Sequence, residues 1–118
     1  MENRHLFRGK RQDNKKWVIG NRIDSPDGRV AITETGGEWE LYECNPETVC
    51  QCVGYEGIFE RDIFLHDDDL YIIRWCDADL RWWAEAVFSR ESDPLGEFRP
   101  EDIEVIGNEI DNPALLEA

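Results

Sequence analysis

A mainly β chain with a small barrel core is what the sequence predicts, on three observations. Apolar runs are short and recur between turn residues at intervals of roughly ten. The strongest of them, in residues 69–88, carries apolar side chains on both faces, as a central, doubly covered strand does. Small alanines, Ala84 and Ala86, stand between the rings of Trp82 and Phe88, a spacing that lets a curved sheet pack closely.

The elements follow in order. KWVIGNRI (16–23) is the first expected strand. DSPDG (24–28) is a turn, because Pro26 presets φ and Gly28 accepts positive φ, so RVAIT (29–33) returns as a hairpin. WELYEC (39–44) puts Trp39 and Leu41 on one face. NPET (45–48) reads as one helical turn with Asn45 as its cap and Pro46 at its first position. VCQCV (49–53) and IFERDIFL (58–65) are further strands. Next, Tyr71, Ile73 and Trp75 oppose Leu70, Ile72 and Cys76 across one strand, DADL (77–80) turns, and Trp82 and Trp83 point to opposite faces of the return strand. Residues 89–102 read as a loop, 103–107 as the last strand, and 113–116 as a short C-terminal helix capped by Asn112.

A chain of 118 residues is expected to form a single domain, 1–118, able to bury a core without disulfide or metal. Its net charge of −14 is unevenly distributed. Residues 1–29 hold eight Lys/Arg and four acids, a balance of +4, and the rest holds five Arg and 23 acids, a balance of −18. Residues 1–15 therefore read as a basic N-terminal arm, with Arg8, Lys10 and Arg11 as candidates for an oligomer or ligand contact. The acidic excess argues against direct nucleic-acid binding, which needs concentrated Lys/Arg, and for imitation of nucleic acid in a basic groove. No membrane-spanning run and no apolar leader core are present, so a cytoplasmic location with reduced thiols is expected.

Catalytic patterns are weak. Cys44, Cys50, Cys52 and Cys76 lack paired C-x-x-C knuckles, so ordinary thiols are expected rather than zinc, and no cofactor is expected. Asp67, Asp68 and Asp69 are separated from Asp77 and Asp79 by a strand spanning about 23 Å, too far for one shared cation. His5 and His66 have no evident nucleophile, and Gly54 and Gly57 do not open a phosphate loop. The chain is expected not to be an enzyme. Its candidate partner-binding residues are Asp67, Asp68, Asp69, Asp77, Asp79, Trp82 and Trp83, the acids steering a basic partner and the indoles anchoring it.

Four segments together resemble the YopX family, small proteins of temperate phages and prophages: FRGKRQDNKKWVIGNRI (7–23), NPETVCQCVG (45–54), GIFERDIF (57–64) and IEVIGNEIDNPALLE (103–117). The hairpin IIRWCDADLRWWAEAV (72–87) fits as well. Three departures are visible: Cys50 and Arg61 stand where the family commonly has Gly, and the turn before the third segment is shorter, with Tyr55 and Glu56 in place of an insertion. The resemblance implies a small SH3-like, partly open β-barrel, homo-oligomers, and action in the cytoplasm of a bacterial host. It supplies no catalytic residues. Positions carried over as fold-determining are Gly54, Asp62, Gly107, Asn108 and Pro113. Taken together with the −18 balance after residue 29 and the Trp candidates, the resemblance favours a counter-defence inhibitor of the anti-CRISPR type, acting on a host protein that handles nucleic acid. The alternatives are an oligomer that sequesters a signalling nucleotide, Arg8, Lys10 and Arg11 meeting its phosphates, and a structural or regulatory phage protein.

Overall fold

Alternation at the N-terminus already sets a face: Phe7 and Gly9 point one way, Leu6, Arg8 and Lys10 the other. In a computed structural model that describes residues 6–34, 40–55, 57–89 and 91–117, this segment is a strand, β1 (Leu6–Lys10). The expected basic arm is corrected from residue 6 onward, because Phe7 and Gly9 face a buried cluster of Val18, Ile32 and Cys44. Arg4, His5 and Trp39 lie outside the described residues.

Four more strands join β1: β2 (Trp17–Asp24), β3 (Val30–Glu34), β4 (Leu41–Cys44) and β5 (Cys50–Gln51). They form an antiparallel sheet in the order β4-β3-β2-β1-β5. A lone antiparallel rung joins Arg11 to Cys44, with Gln12 N donating to Glu43 O at 2.9 Å and Asn45 N to Lys10 O at 3.0 Å. The backbone after β1 thus meets the end of β4, and Gly9 explains how. A Cβ there would sit 3.1 Å from both Cβ and Sγ of Cys44. The Pro46–Thr48 turn docks onto the same place, Thr48 Oγ1 accepting from Lys10 N at 2.9 Å. Asn45 caps that turn as expected, its Oδ1 accepting from Glu47 N. The first two segments quoted above therefore hold each other.

The chain divides into two compact units between Phe59 and Glu60. The second has its own antiparallel sheet, order β10-β6-β7-β8-β9, from β6 (Asp62–His66), β7 (Asp69–Cys76), β8 (Arg81–Ala86), β9 (Ser92–Pro94) and β10 (Glu104–Asn108). As expected, β7 is central; only Ile72 and Ile73 are buried along it, while Trp75 is 41% exposed. The strand expected to begin at Ile58 begins at Asp62, because Arg61 has φ of 72° and breaks the extended run. Residues 89–102, expected as loop, hold β9 and two 3-10 turns, Leu95–Glu97 and Pro100–Asp102, which bury Leu95 and Phe98.

The third and fourth quoted segments also hold each other. Asp62 pairs with Asn108 and Ile63 with Gly107. Asn108 Oδ1 accepts from Ile110 N (3.0 Å) and Asp111 N (2.8 Å), turning the chain. The expected capping of the last turn by Asn112 does not occur; its Oδ1 accepts backward from Asn108 N, and Pro113–Leu116 is a 3-10 turn.

Candidate binding site

Two hairpin turns carry the expected acids. The β6–β7 turn is closed by the pair His66 and Asp69, with Asp67 (φ 46°) and Asp68 (φ 66°) both left-handed, as a two-residue hairpin loop requires. Asp69 serves the fold, its Oδ1 accepting from Leu70 N and Phe88 N. Asp77 and Asp79 sit in the β7–β8 turn, beyond the pair Cys76 and Arg81. There Asp77 accepts from Trp75 Nε1 at 2.7 Å. The eight residues of β7 separate the two turns, so the acids form two groups rather than one.

The indoles stay with the second group and split between faces. Trp82 packs edge-on against Trp75, ring centroids 5.1 Å apart. Trp83 lies under the Arg81 guanidinium, 5.4 Å from the ring centre, and its Nε1 is buried with no hydrogen-bond partner.

At the other end of β7, Asp67 borders an open pocket of about 530 Å³ that the sequence does not announce. Its walls are His66, Asp67, Tyr71, Asp93, Glu97, Phe98, Arg99 and Asp102. Phe98 stands edge-on to His66 (5.1 Å) and Tyr71 (5.4 Å), and Tyr71 stacks on Phe64 (5.3 Å). Burial pushes the Tyr71 phenol above its ordinary pKa, and the charges of Asp69, Asp93, Asp67 and Glu91 push it further. Arg99 pairs with Asp102 at 3.1 Å and lies 3.7 Å from Glu101. The pocket therefore holds four carboxylates against one guanidinium.

Two further arginines of this unit, Arg61 and Arg74, are tied to acids. Arg61 Nε meets Glu109 Oε1 at 2.7 Å, Arg74 reaches Glu109 Oε2 at 3.0 Å, and Arg74 Nε meets Glu85 at 3.2 Å. Burial opposes the Glu109 charge, yet hydrogen bonds from Arg61 and Arg74 hold its carboxyl below the ordinary glutamate value.

The basic candidates of the first unit are also engaged. Arg8 lies between the rings of Trp17 (4.6 Å) and Phe59 (4.8 Å), and Lys10 lies 5.2 Å from Trp17. Arg11 covers Tyr42 at 4.0 Å and bonds Asp13 at 2.9 Å. These cations occupy ring faces on which a base would stack. A shallow cavity of about 300 Å³ in this unit is lined by Ile23, Ser25, Arg29, Val30, Ala31, Leu41 and Glu43, and by none of the three basic candidates.

Cys44, Cys50 and Cys52 are buried thiols whose Sγ atoms donate to the carbonyls of Tyr42, Thr48 and Tyr55; Cys76 is half-buried. Burial pushes the Cys44 thiol up in pKa. Among the described residues, no three His, Cys, Asp or Glu side chains converge as metal ligands, and no helix is long and apolar enough to cross a membrane. No family model, curated protein or solved structure matches the chain.

Proposed function

We propose that this is a YopX-like phage or prophage accessory protein that acts by binding, without catalysis, inside the bacterial host cytoplasm. Its role is counter-defence of the anti-CRISPR type: the acidic second unit occupies a basic groove in which a host protein otherwise holds DNA or RNA. The observation that carries this is the charge of residues 60–118, where five Arg and no Lys stand against 17 acids, a balance of −12. Arg61, Arg74 and Arg99 are already paired with acids. So many like charges raise the repulsion within a folded chain, and a basic partner relieves it. On the same reading the first unit is a small SH3-like, partly open barrel, supported by the rung between Arg11 and Cys44, and the protein works as a homo-oligomer.

The test is inhibition of a CRISPR nuclease charged with its guide. Inhibition is expected to compete with DNA and to weaken as salt rises from about 50 to 300 mM, because such attraction is screened. Inhibition unaffected by salt and by the combined reversal of Asp67, Asp68, Asp77 and Asp79 to Lys would refute the mimic. Thermal shift with cyclic and ADP-ribose-type nucleotides is expected to give no stabilisation, because Arg8 and Lys10 cover Trp17; a clear shift moves the function to nucleotide sequestration.

A further inference from the structure

The pocket beside the β6–β7 turn has two kinds of wall that suit the same ligand. One is aromatic, with Tyr71 and Phe98 set edge to face and held by Phe64. The other is anionic, with Asp67, Asp93, Glu97 and Asp102 around an opening of about 530 Å³; Arg99 already pairs with Asp102 and His66 lies 3.3 Å from Asp67, so Asp93 and Glu97 are the carboxylates offered to a ligand. Aromatic surface beside carboxylates is the chemistry that holds a guanidinium or alkylammonium group, through cation–π attraction and charge-assisted hydrogen bonds. The rings are held by their mutual packing, so the aromatic wall needs little ordering on binding.

We infer that this pocket receives an arginine side chain from a basic segment of the partner protein. The planar guanidinium matches both walls, since it lies flat on a ring while donating sideways to carboxylates. A second copy of this chain is the poorer occupant, because it arrives with a charge of −14 of its own. The inference rests on the acidic-surface reading and narrows it. Attraction by the field of the whole unit becomes recognition at one end of β7, with the Asp77 and Asp79 end left as a general anionic surface.

A fluorescein-labelled peptide of alternating Arg and Ala, titrated with the full chain at about 150 mM salt, reads the difference by anisotropy. Two double variants remove the same charge: Asp93→Asn with Glu97→Gln in the pocket, and Asp77→Asn with Asp79→Asn at the far end. The pocket pair is expected to weaken binding roughly tenfold and the far pair less than about twofold. A Lys/Ala peptide of equal charge is expected to bind several-fold more weakly than the Arg peptide. Phe98 is part of the buried core, so unaltered thermal melts of the Asn/Gln variants, rather than a ring deletion, control for folding. Equal weakening by both pairs, or no preference for Arg over Lys, overturns the pocket while leaving the acidic-surface reading intact. Absence of peptide binding overturns the pocket too, and nuclease inhibition then judges the broader reading by itself.

Discussion

The two units solve one structural problem in the same way and then treat their charges differently. In each, two distant segments lock through the backbone: Lys10 with the Asn45 N–H and the Thr48 hydroxyl in the first, Asp62 and Ile63 with Asn108 and Gly107 in the second. Residues 1–59 carry eight Lys/Arg against ten acids, close to balance, and Arg8, Lys10, Arg11 and Arg22 all lie over aromatic rings. Residues 60–118 carry −12. A sheet of five strands evidently does not need that excess, because the first unit builds one without it. Some acids of the second unit serve its fold, as Asp69 and Glu109 do, and the remaining excess is what the proposed function assigns to recognition.

The largest expected effect breaks the backbone side of this comparison. Gly20, in β2, lies so close to β3 that a Cβ would fall 1.7 Å from the Thr33 carbonyl oxygen. Gly20→Ala must push two paired strands apart and is expected to cost about 3 kcal/mol or more in urea unfolding. Gly107→Ala is the counterpart in the second unit, where the nearest atom, 2.5 Å away, is Oδ1 of the Asn112 side chain. That side chain can rotate, although it then abandons Asn108 N, so a loss of about 1–2 kcal/mol is expected. Equal losses would mean that both glycines are limited by rigid backbone.

Next in size is Asn108, buried and bonded through Oδ1 to two successive backbone N–H groups. Asn108→Ala leaves both donors without that acceptor and is expected to cost about 2 kcal/mol. Asn45→Ala in the first unit loses one such bond, to Glu47 N, at an exposed turn, and is expected to cost about 1 kcal/mol. Chemical denaturation of the two variants side by side measures the ratio.

How much of this was legible depends on how far apart the cooperating residues lie. The hairpin of β7 and β8 was readable because its signal is local: period-two alternation, a DADL turn, and small alanines that prove to be buried. Strand β6 was misplaced because its limit is a positive φ at Arg61, and only glycine would have announced that conformation. The acids of the two turns were visible as a run, but Asp93, Glu97 and Asp102 lie in a segment with no periodicity. What joins them to Tyr71 is the burial of Phe98, and one signal for that was present: an aromatic residue between the two prolines of PLGEFRP. The relay through Glu109 links Arg61 and Arg74 across 48 and 35 positions, which no local pattern reveals.

Arg61 sharpens the comparison further. It holds a left-handed backbone that costs a non-glycine residue about 1 kcal/mol, and its guanidinium returns a comparable amount through Glu109. Arg61→Gly relieves one and forfeits the other, so its stability is expected to stay within about 0.5 kcal/mol of the parent. Arg61→Ala forfeits the pair and keeps the strain, and is expected to fall about 1 kcal/mol below the glycine variant. If Ala equals Gly in urea melts, the backbone at this position is unstrained and the limit of β6 needs another cause.

The smallest effect compares one carboxylate from each unit in acid. Glu109 is held below its ordinary pKa against the cost of burial, by Arg61 and Arg74. Asp27 is lowered to about 2 by hydrogen bonds from Ser25, then from the Arg29 side chain and backbone, in a fully exposed turn. Both values are depressed in the folded chain, so each group adds stability above its unfolded pKa, about 4, and loses it as pH falls through the folded value. Melting temperature is therefore expected to decline below about pH 4, and Glu109→Gln and Asp27→Asn are each expected to flatten that decline. The Glu109 variant should flatten it more, because solvent screens Asp27 and because Glu109 joins two arginines that the second unit would otherwise leave near one another. A larger effect from Asp27 would place the acid sensitivity in the nearly neutral unit, and the paired arginines of the second would then count for little in its stability.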